Sequence, residues 1–252
     1  MSRERKKPHQ KIFVANWKMQ GCTAFSEAYG AFFHQQRSAL PSYAQVVLCP
    51  PAPYLSAVRL TAQGAVSLGT QNTATEKQGA FTGEISAAMA ADSGALYGLV
   101  GHSERRHLYY ETDSLVQEKA LRLGEVGLTP ILCVGETGEQ HTAGQTLAIL
   151  TQQLSILGAL PFSWPLIIAY EPVWAIGTGK TPTPEEVDQT HRAIQGILTA
   201  QGREPLPLLY GGSVTAANAQ SFVELDTVDG VLVGGASLKE EVFLSIIRCL
   251  EE

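Results

Sequence analysis

Residues 165–180 have the sequence PLIIAYEPVWAIGTGK, in which a short apolar run ends at a glutamate and a glycine-containing segment follows. The run is apolar throughout rather than alternating, which is typical of a strand in a parallel sheet covered on both faces. Consecutive runs of this kind start 21 to 41 residues apart, which leaves room for a helix and two short loops after each strand. The other seven runs begin near Lys11, Ala44, Ala65, Leu96, Leu128, Leu206 and Asp229.

The segments between these runs carry helix signals. Residues 183–186, TPEE, offer an N-cap, a proline at the first helical position and early negative charge. Asp113 opens a second segment, with Leu115, Val116 and Ala120 on one side. Eight strands that alternate with eight helical segments predict a single α/β domain, a closed (β/α)8 barrel over residues 11–252. A doubly wound open sheet is the structural alternative.

The composition limits the class of protein. The chain has 252 residues, of which 44% are hydrophobic and 17% are charged, so it can bury a large core. No apolar run approaches the roughly 20 residues of a membrane span, and we expect no membrane association. The cysteines lie far apart and form no CxxC pair, which indicates reduced thiols and a cytoplasmic location rather than a disulfide or zinc site. They are Cys22, Cys49, Cys133 and Cys249.

The charge is distributed unevenly. The net charge is −6, yet residues 1–10 contain Arg3, Arg5, Lys6 and Lys7 against a single acid, Glu4. We predict that residues 1–10 form a disordered, solvated tail, and a targeting arm is the alternative. The segment lacks the apolar stretch of a secretory signal. The remaining residues are strongly acidic, so we expect no nucleic-acid partner.

Residues with reactive side chains follow several of the predicted strands. Lys18 comes after the first strand, His102 after the fourth and Glu171 after the sixth. Glycine-rich turns, 211–213 and 234–235, follow the last two. Because the carboxyl ends of barrel strands meet at one rim, we expect these groups to lie together.

Each group has a functional and a structural interpretation. Glycine turns bring backbone N–H groups close to an anion, and two of them after strands seven and eight favour a phosphate site over tight turns without a ligand. Glu171 suits a general base or an ion-paired carboxylate. His102 precedes a helix start, which disfavours imidazolium, so it suits either a neutral hydrogen-bond donor or a capping or core histidine. Lys18 stabilises an anion or is simply solvated.

One connection is unusually long. Residues 69–86 span 18 positions without a clear hydrophobic periodicity. Loops of this length inside compact domains commonly have a function or form an interface. Ala80 and Phe81 are an apolar tip that needs burial, either against a second subunit or back on the same barrel.

Seven strings resemble the triosephosphate isomerase family, and together they span roughly residues 11 to 248 in the family's order and spacing. They are ANWKMQG, GAFTGEIS, GHSERR, ILCVGE, AYEPVWAIGTGK, LYGGSV and LVGGASL. Gln20 departs from the asparagine usual after NWKM, and the head over residues 1–10 is longer than typical. Neither difference falls on a catalytic position.

The resemblance implies a TIM barrel that interconverts dihydroxyacetone phosphate and D-glyceraldehyde 3-phosphate, in glycolysis and gluconeogenesis. It implies that Asn16 and Lys18 bind the substrate, with Lys18 supplying positive charge. His102 would polarise the carbonyl, and Glu171 would move the proton between adjacent carbons. Glu104 would orient these groups.

The resemblance also implies a phosphate-binding site, a lid over the ligand and a second copy of the chain as partner. Residues 172–182 would form a lid that closes over the ligand, and the loop 69–86 would enter a second copy beside its active site, with Thr82 near that copy's catalytic groups. A homodimer follows, and no metal or organic cofactor is implied. The other substrate-binding positions are Trp17, Gly177, Ser213, Gly234 and Gly235.

Two rival functions remain open on the sequence. A Schiff-base aldolase on the same fold would need a lysine in a strand's apolar interior, whereas Lys11 and Lys18 lie at strand ends. A non-catalytic scaffold would have no need of intact Glu171, His102 and Lys18.

Overall fold

Eight parallel strands close into a barrel in the computed structural model of the chain, which describes residues 10–176 and 180–251. Each strand pairs with the next along the chain, and β8 pairs with β1, so the open-sheet alternative is excluded. The strands are Lys11–Asn16 (β1), Ala44–Cys49 (β2), Ser67–Thr70 (β3), Tyr97–Val100 (β4), Thr129–Val134 (β5), Ile167–Tyr170 (β6), Leu208–Tyr210 (β7) and Gly230–Val233 (β8).

The apolar runs bury both faces of each strand, as predicted. Along β1, Ile12 and Val14 point into the barrel interior, while Phe13 and Ala15 pack under the surrounding helices. The interior holds a compact set of small and branched side chains, and it is therefore a packed core rather than a channel.

Three strands begin two residues later than the apolar runs from which they were predicted. The paired segments begin at Ser67, Ile167 and Leu208 rather than near Ala65, Pro165 and Leu206. Prolines at 165 and 207 precede two of these starts, and a proline has no N–H to donate to a sheet ladder.

Helices cover the outside of the barrel. Five short 3₁₀ helices supplement them among the described residues, so some connections contain more than one helical segment. The α-helices are Thr23–Gln35 (α1), Leu55–Ala62 (α2), Ala87–Asp92 (α3), Ser103–Leu108 (α4), Asp113–Glu125 (α5), Gly138–Thr142 (α6), Thr146–Leu154 (α7), Pro184–Ala200 (α8), Ala219–Val223 (α9) and Glu240–Ile247 (α10).

Both predicted helix starts are confirmed. Thr183 and Glu186 form a capping box at α8, in which each side chain accepts a hydrogen bond from the other residue's backbone N–H. Asp113 begins α5, and Thr112 caps it. Within residues 10–176 and 180–251, no helix has the length and apolar character needed to cross a bilayer.

The predicted tail, residues 1–10, lies outside the described part of the chain except for Gln10, which is exposed. The four cysteines are free thiols, and Cys49 and Cys133 are buried in the barrel interior.

Candidate active site

A cavity of about 300 Å³ opens at the carboxyl end of the barrel, where the sequence placed the reactive side chains. Residues from the ends of β1, β4, β6, β7 and β8 line it, although they lie up to 220 positions apart in the chain. Of the predicted site residues, the cavity brings together Asn16, Lys18, His102, Glu171, Ser213, Gly234 and Gly235.

Lys18 is held in an unusual backbone conformation just beyond β1. Its φ of 53° lies in the left-handed region, which residues other than glycine rarely adopt. The Asn16 Oδ1 accepts a hydrogen bond from the Lys18 N–H at 3.0 Å, and the Gln71 Nε2 donates to the Lys18 carbonyl at 2.9 Å. The same Gln71 nitrogen donates to the Cys49 carbonyl at 2.8 Å, which ties the turn to the end of β2.

The Lys18 ammonium makes a close ion pair. Its Nζ lies 2.6 Å from Oε1 of Glu104, and both side chains are partly exposed. The second oxygen of Glu104 lies 3.7 Å from Nδ1 of His102. Glu104 therefore stands between the two groups that it was predicted to orient.

His102 precedes α4 as its N-cap. Its Nδ1 accepts a hydrogen bond from the Glu104 backbone N–H at 3.2 Å. A neutral imidazole whose Nδ1 accepts must carry its proton on Nε2, so this network assigns the Nε2–H tautomer. The ring is 5% exposed, and Nε2 faces the cavity wall at Glu171.

Glu171 is a buried carboxylate directly after β6. Its Oε1 lies 3.1 Å from His102 Nε2, and its Oε2 accepts a hydrogen bond from the Ser103 N–H at 3.0 Å. Two protein donors thus satisfy a charge that burial alone would destabilise. The carboxylate would have to exchange these bonds before it could reach a ligand carbon.

Two glycines let the chain pack closely around Glu171. A Cβ at Gly135 would lie 1.8 Å from the Glu171 carbonyl oxygen, and one at Gly211 would lie 2.9 Å from Glu171 Cγ. Beneath them, burial raises the pKa of the Cys133 thiol, and the nearby Glu171 charge adds to the effect. Cys133 is therefore a packing residue rather than a nucleophile.

The two glycine turns differ from each other. After β8 the chain passes through Gly234 directly into a 3₁₀ helix, Gly235–Leu238, and both Gly234 and Gly235 line the cavity. After β7, however, α9 begins only at Ala219. Asn218 accounts for the delay, because its side chain accepts from the Thr215 N–H and donates to the Ser213 carbonyl, a local turn that competes with a helix.

A family model for "Triosephosphate isomerase" matches residues 11–250 of the chain. The chain belongs to the triosephosphate isomerase family. Similar relatives carry the same name. The protein of Alcanivorax borkumensis is 43% identical to this chain, and the match covers 95% of this chain and 98% of the relative. The protein of Xanthomonas campestris pv. campestris is 44% identical, and the match covers 95% of this chain and 97% of the relative. That of Acidiphilium cryptum is 44% identical over 93% of this chain and 96% of its own.

Trp17 does not line the cavity, although it lies between Asn16 and Lys18, which do. Its ring is fully buried and makes edge contacts with Phe25 and Tyr29, at centroid distances of 4.9 and 4.8 Å. Side chains alternate along a strand, so Asn16 faces the site while Trp17 faces the helices, and the left-handed turn at Lys18 returns the chain to the cavity.

Thr82 also lies apart from the cavity of its own chain. It is exposed, as are the residues from Lys77 to Ile85. Gly177, the predicted lid contact, falls in residues 177–179, outside the described chain.

Sequence reasoning gave no role to Glu136, although the string ILCVGE of the family resemblance contains it. Glu136 is fully buried after β5 and accepts hydrogen bonds from Trp174 Nε1 at 2.9 Å and from the Tyr170 hydroxyl at 3.2 Å. His141 stacks on Trp174, with ring centroids 4.5 Å apart. Burial raises the pKa of Tyr170, and the Glu136 charge raises it further. The sequence did contain a signal for Glu136, because it is a glutamate that follows a predicted strand, as Glu171 does.

Gln71 was also missed, and nothing in the sequence singled it out. Its importance comes from two carbonyls that lie 22 and 53 positions away in the chain. Within the described residues, no group of three or more His, Cys, Asp or Glu side chains is arranged to hold a metal ion.

Proposed function

We propose that this chain interconverts dihydroxyacetone phosphate and D-glyceraldehyde 3-phosphate by proton transfer through an enediolate. The observation that carries the proposal is the contact between Glu171 and His102 Nε2 in a cavity that Lys18 also lines. A carboxylate, a neutral N–H donor and a positive charge are the groups that this isomerisation needs.

The chemistry divides among these three side chains. Glu171 accepts the proton from the carbon beside the carbonyl and returns it to the adjacent carbon. The His102 Nε2–H donates to the substrate oxygens as negative charge develops on them, and it passes a proton to the carbonyl oxygen and takes back the proton of the neighbouring hydroxyl. Lys18 stabilises that charge, and Asn16 contributes by fixing the Lys18 backbone. The proton is returned, so no external oxidant or reductant is required.

The substrate phosphate would bind at the glycine turns. Ser213, Gly234 and Gly235 line the cavity, and a 3₁₀ helix begins at Gly235. The backbone N–H groups at a helix start favour an anion. Gly177 would add a further N–H from the lid. The described part of the lid reaches the site, since Ile176 lines the cavity and the Ser213 hydroxyl donates to the Ala175 carbonyl at 2.5 Å.

The aldolase alternative finds no support at the site. A Schiff base requires an amine beside the substrate carbonyl. Lys11 lies at the opposite end of β1, where burial lowers the pKa of its ammonium and its Nζ donates to the Val228 carbonyl. Lys18 is engaged by Glu104.

The functional unit in this proposal is a homodimer. The interface loop, residues 69–86, exposes Phe81, and Met89 just beyond it is also exposed. A second cavity, of about 160 Å³, lies beside Lys18 and His102, with the 93% exposed Met19 at its edge. A protruding apolar tip and an open cavity on the same chain fit each other across a two-fold axis. Thr82 would then stand beside the partner's site.

We place this enzyme in glycolysis and gluconeogenesis in the cytoplasm, as the chemistry of its substrates and its free thiols suggest.

A coupled assay with glyceraldehyde 3-phosphate in deuterated water tests the reaction. We expect turnover, with solvent deuterium on C1 of the dihydroxyacetone phosphate, because a proton held by a carboxylate exchanges with solvent. No turnover, or complete retention of the substrate hydrogen, would contradict the proposal.

A further inference from the structure

The interface loop has a neck and an exposed outer part. At the neck, the Ala74 N–H donates to the Ile85 carbonyl at 2.8 Å, and the Thr73 hydroxyl donates to the same oxygen at 3.3 Å. The outer part, residues 75–84, extends beyond this closure, and from Lys77 onward it is exposed. The two hydrogen bonds of the neck join the ends of the outer part, but they do not fix its orientation relative to the barrel.

One ridge of α5 makes contact with this loop. Lys119, Arg122 and Glu125 are spaced three residues apart, so they lie along one face of the helix. Lys119 Nζ donates to Asn72 Oδ1 at 2.8 Å, below the neck. Arg122 and Glu125 reach beyond it.

Above the neck, the contacts form a chain of charged groups. Arg122 Nε donates to the Thr75 carbonyl at 2.6 Å, and its Nη1 donates to both oxygens of Glu125, at 2.8 and 2.7 Å. Glu125 Oε2 in turn lies 3.1 Å from Lys77 Nζ. Hydrogen bonds from Arg122, and then from Lys77, lower the pKa of the Glu125 carboxyl.

These contacts are the polar connections between the outer part and the barrel. In the part of the chain that the structure describes, every hydrogen bond or ion pair between residues 75–84 and the rest of the barrel runs to Arg122 or Glu125. Neither residue lines the catalytic cavity.

We propose that Arg122 and Glu125 form a clamp that fixes the outer part of the interface loop in the conformation received by a second copy of the chain, and so set the affinity of the homodimer. The inference rests on the homodimer proposed above. A loop that is already ordered loses less conformational freedom on association than a loop that must order as it binds. Arg122 and Glu125 are positioning residues, since they act through the loop.

Arg122→Met tests the clamp, because methionine keeps an apolar stem and removes every donor. Specific activity and sedimentation are measured over a dilution series. We expect the dimer dissociation constant to rise about tenfold. Once the dimer is saturated, kcat and KM should stay within about twofold of the parent. Arg122→Lys keeps the charge but lacks the separate nitrogens with which arginine reaches Thr75 and Glu125, and it should fall between the two.

Arg192→Met is the matched control. Arg192 forms an exposed ion pair with Asp188 on α8, at 2.9 Å, away from the loop. This variant should keep the parent's dissociation constant. Raising the salt to about 0.5 M should weaken the parent dimer towards the Arg122→Met value and affect the variant less, because exposed ion pairs are screened.

The outcomes separate the clamp from the dimer itself. A parent chain that is a fully active monomer at every concentration overturns the homodimer. A parent dimer whose affinity is unchanged in Arg122→Met overturns the clamp alone. If Arg122→Met does not fold, Glu125→Ala decides, since it removes the acceptor of Lys77 and leaves the bond from Arg122 to Thr75. An unchanged dissociation constant there overturns the clamp.

Discussion

Glu171 and His102, which lie 69 positions apart in the chain, meet with Oε1 and Nε2 separated by 3.1 Å in the wall of a barrel cavity. The contact joins the ends of β6 and β4, which are not neighbours in the sheet. Both groups are almost fully buried, so their geometry is fixed by packing rather than by solvent.

Glu171→Asp should lower kcat by on the order of 10²-fold or more, because a shift of about 1 Å is enough to spoil near-attack geometry. Binding of a phosphate-containing analogue should change little, since the glycine turns are untouched. Steady-state kinetics and analogue titration provide the measurement. Glu185→Asp, at an exposed position of α8, is the control and should behave as the parent. A near-normal kcat would remove Glu171 from the mechanism.

Lys18→Met should nearly abolish turnover while the fold persists. Developing negative charge in a site shielded from water is costly without a counter-charge. The variant leaves Glu104 unpaired, but that side chain is 42% exposed and remains solvated. Activity and thermal unfolding are compared with Lys239→Met, an exposed lysine. A Lys18 variant that saturates normally would show that Lys18 is only a surface residue.

Trp174→Phe should lower the free energy of unfolding by about 2 kcal/mol, because the buried Glu136 carboxylate loses a donor. Denaturant titration measures the change. Glu136→Gln and the double variant complete a cycle, and their combined effect should fall short of the sum of the single effects. Strictly additive effects would mean that Trp174 and Glu136 are not coupled.

The stability of the protein should fall as the pH drops from about 6.5 towards 4, partly through His191. Burial is the main cause that lowers the pKa of this histidine from 6.5 to about 4. Between these values the unfolded chain binds a proton that the folded chain does not, so stability present above pH 6.5 is lost on acidification. The loss amounts to about 3 kcal/mol.

Urea titrations of the parent and of His191→Gln at a series of pH values test this effect. The difference between the two proteins should be constant above pH 7 and should change by that amount towards pH 4. A parallel pH dependence in both proteins would exclude His191 as the origin.

In the homodimer proposed above, Thr82→Arg should yield monomers with intact barrel secondary structure and severely reduced activity. The substitution would place a bulky charge in the partner's small cavity, where desolvation is costly. Sedimentation, circular dichroism and activity are measured on one sample. Thr82→Ser is the control that should remain dimeric. A fully active monomer would show that the loop's contacts do not matter for catalysis, and a dimer that tolerates arginine would place the interface elsewhere.

Some features of the site were readable from local pattern. Glu171, His102 and Lys18 each follow an apolar run, and the carboxyl ends of parallel strands meet at one rim whatever the loops do. The same alternation would have placed Trp17 in the core, since it is out of phase with Asn16 and Lys18. The delay of α9 to Ala219 depends on one side-chain turn at Asn218, which competes with helix formation without disturbing the hydrophobic pattern.

The sequence by itself determined the eight-strand repeat, the helix starts at Thr183 and Asp113, and the set of side chains at the carboxyl rim, because these follow from short-range periodicity and capping chemistry. Only the tertiary structure decided that Gln71 supports the Lys18 backbone, that Glu136 joins Tyr170 to Trp174, and that Arg122 reaches Thr75. Each of these is a contact between segments distant in the chain. Its existence depends on where the closed barrel sets those segments, which no local pattern of residues specifies.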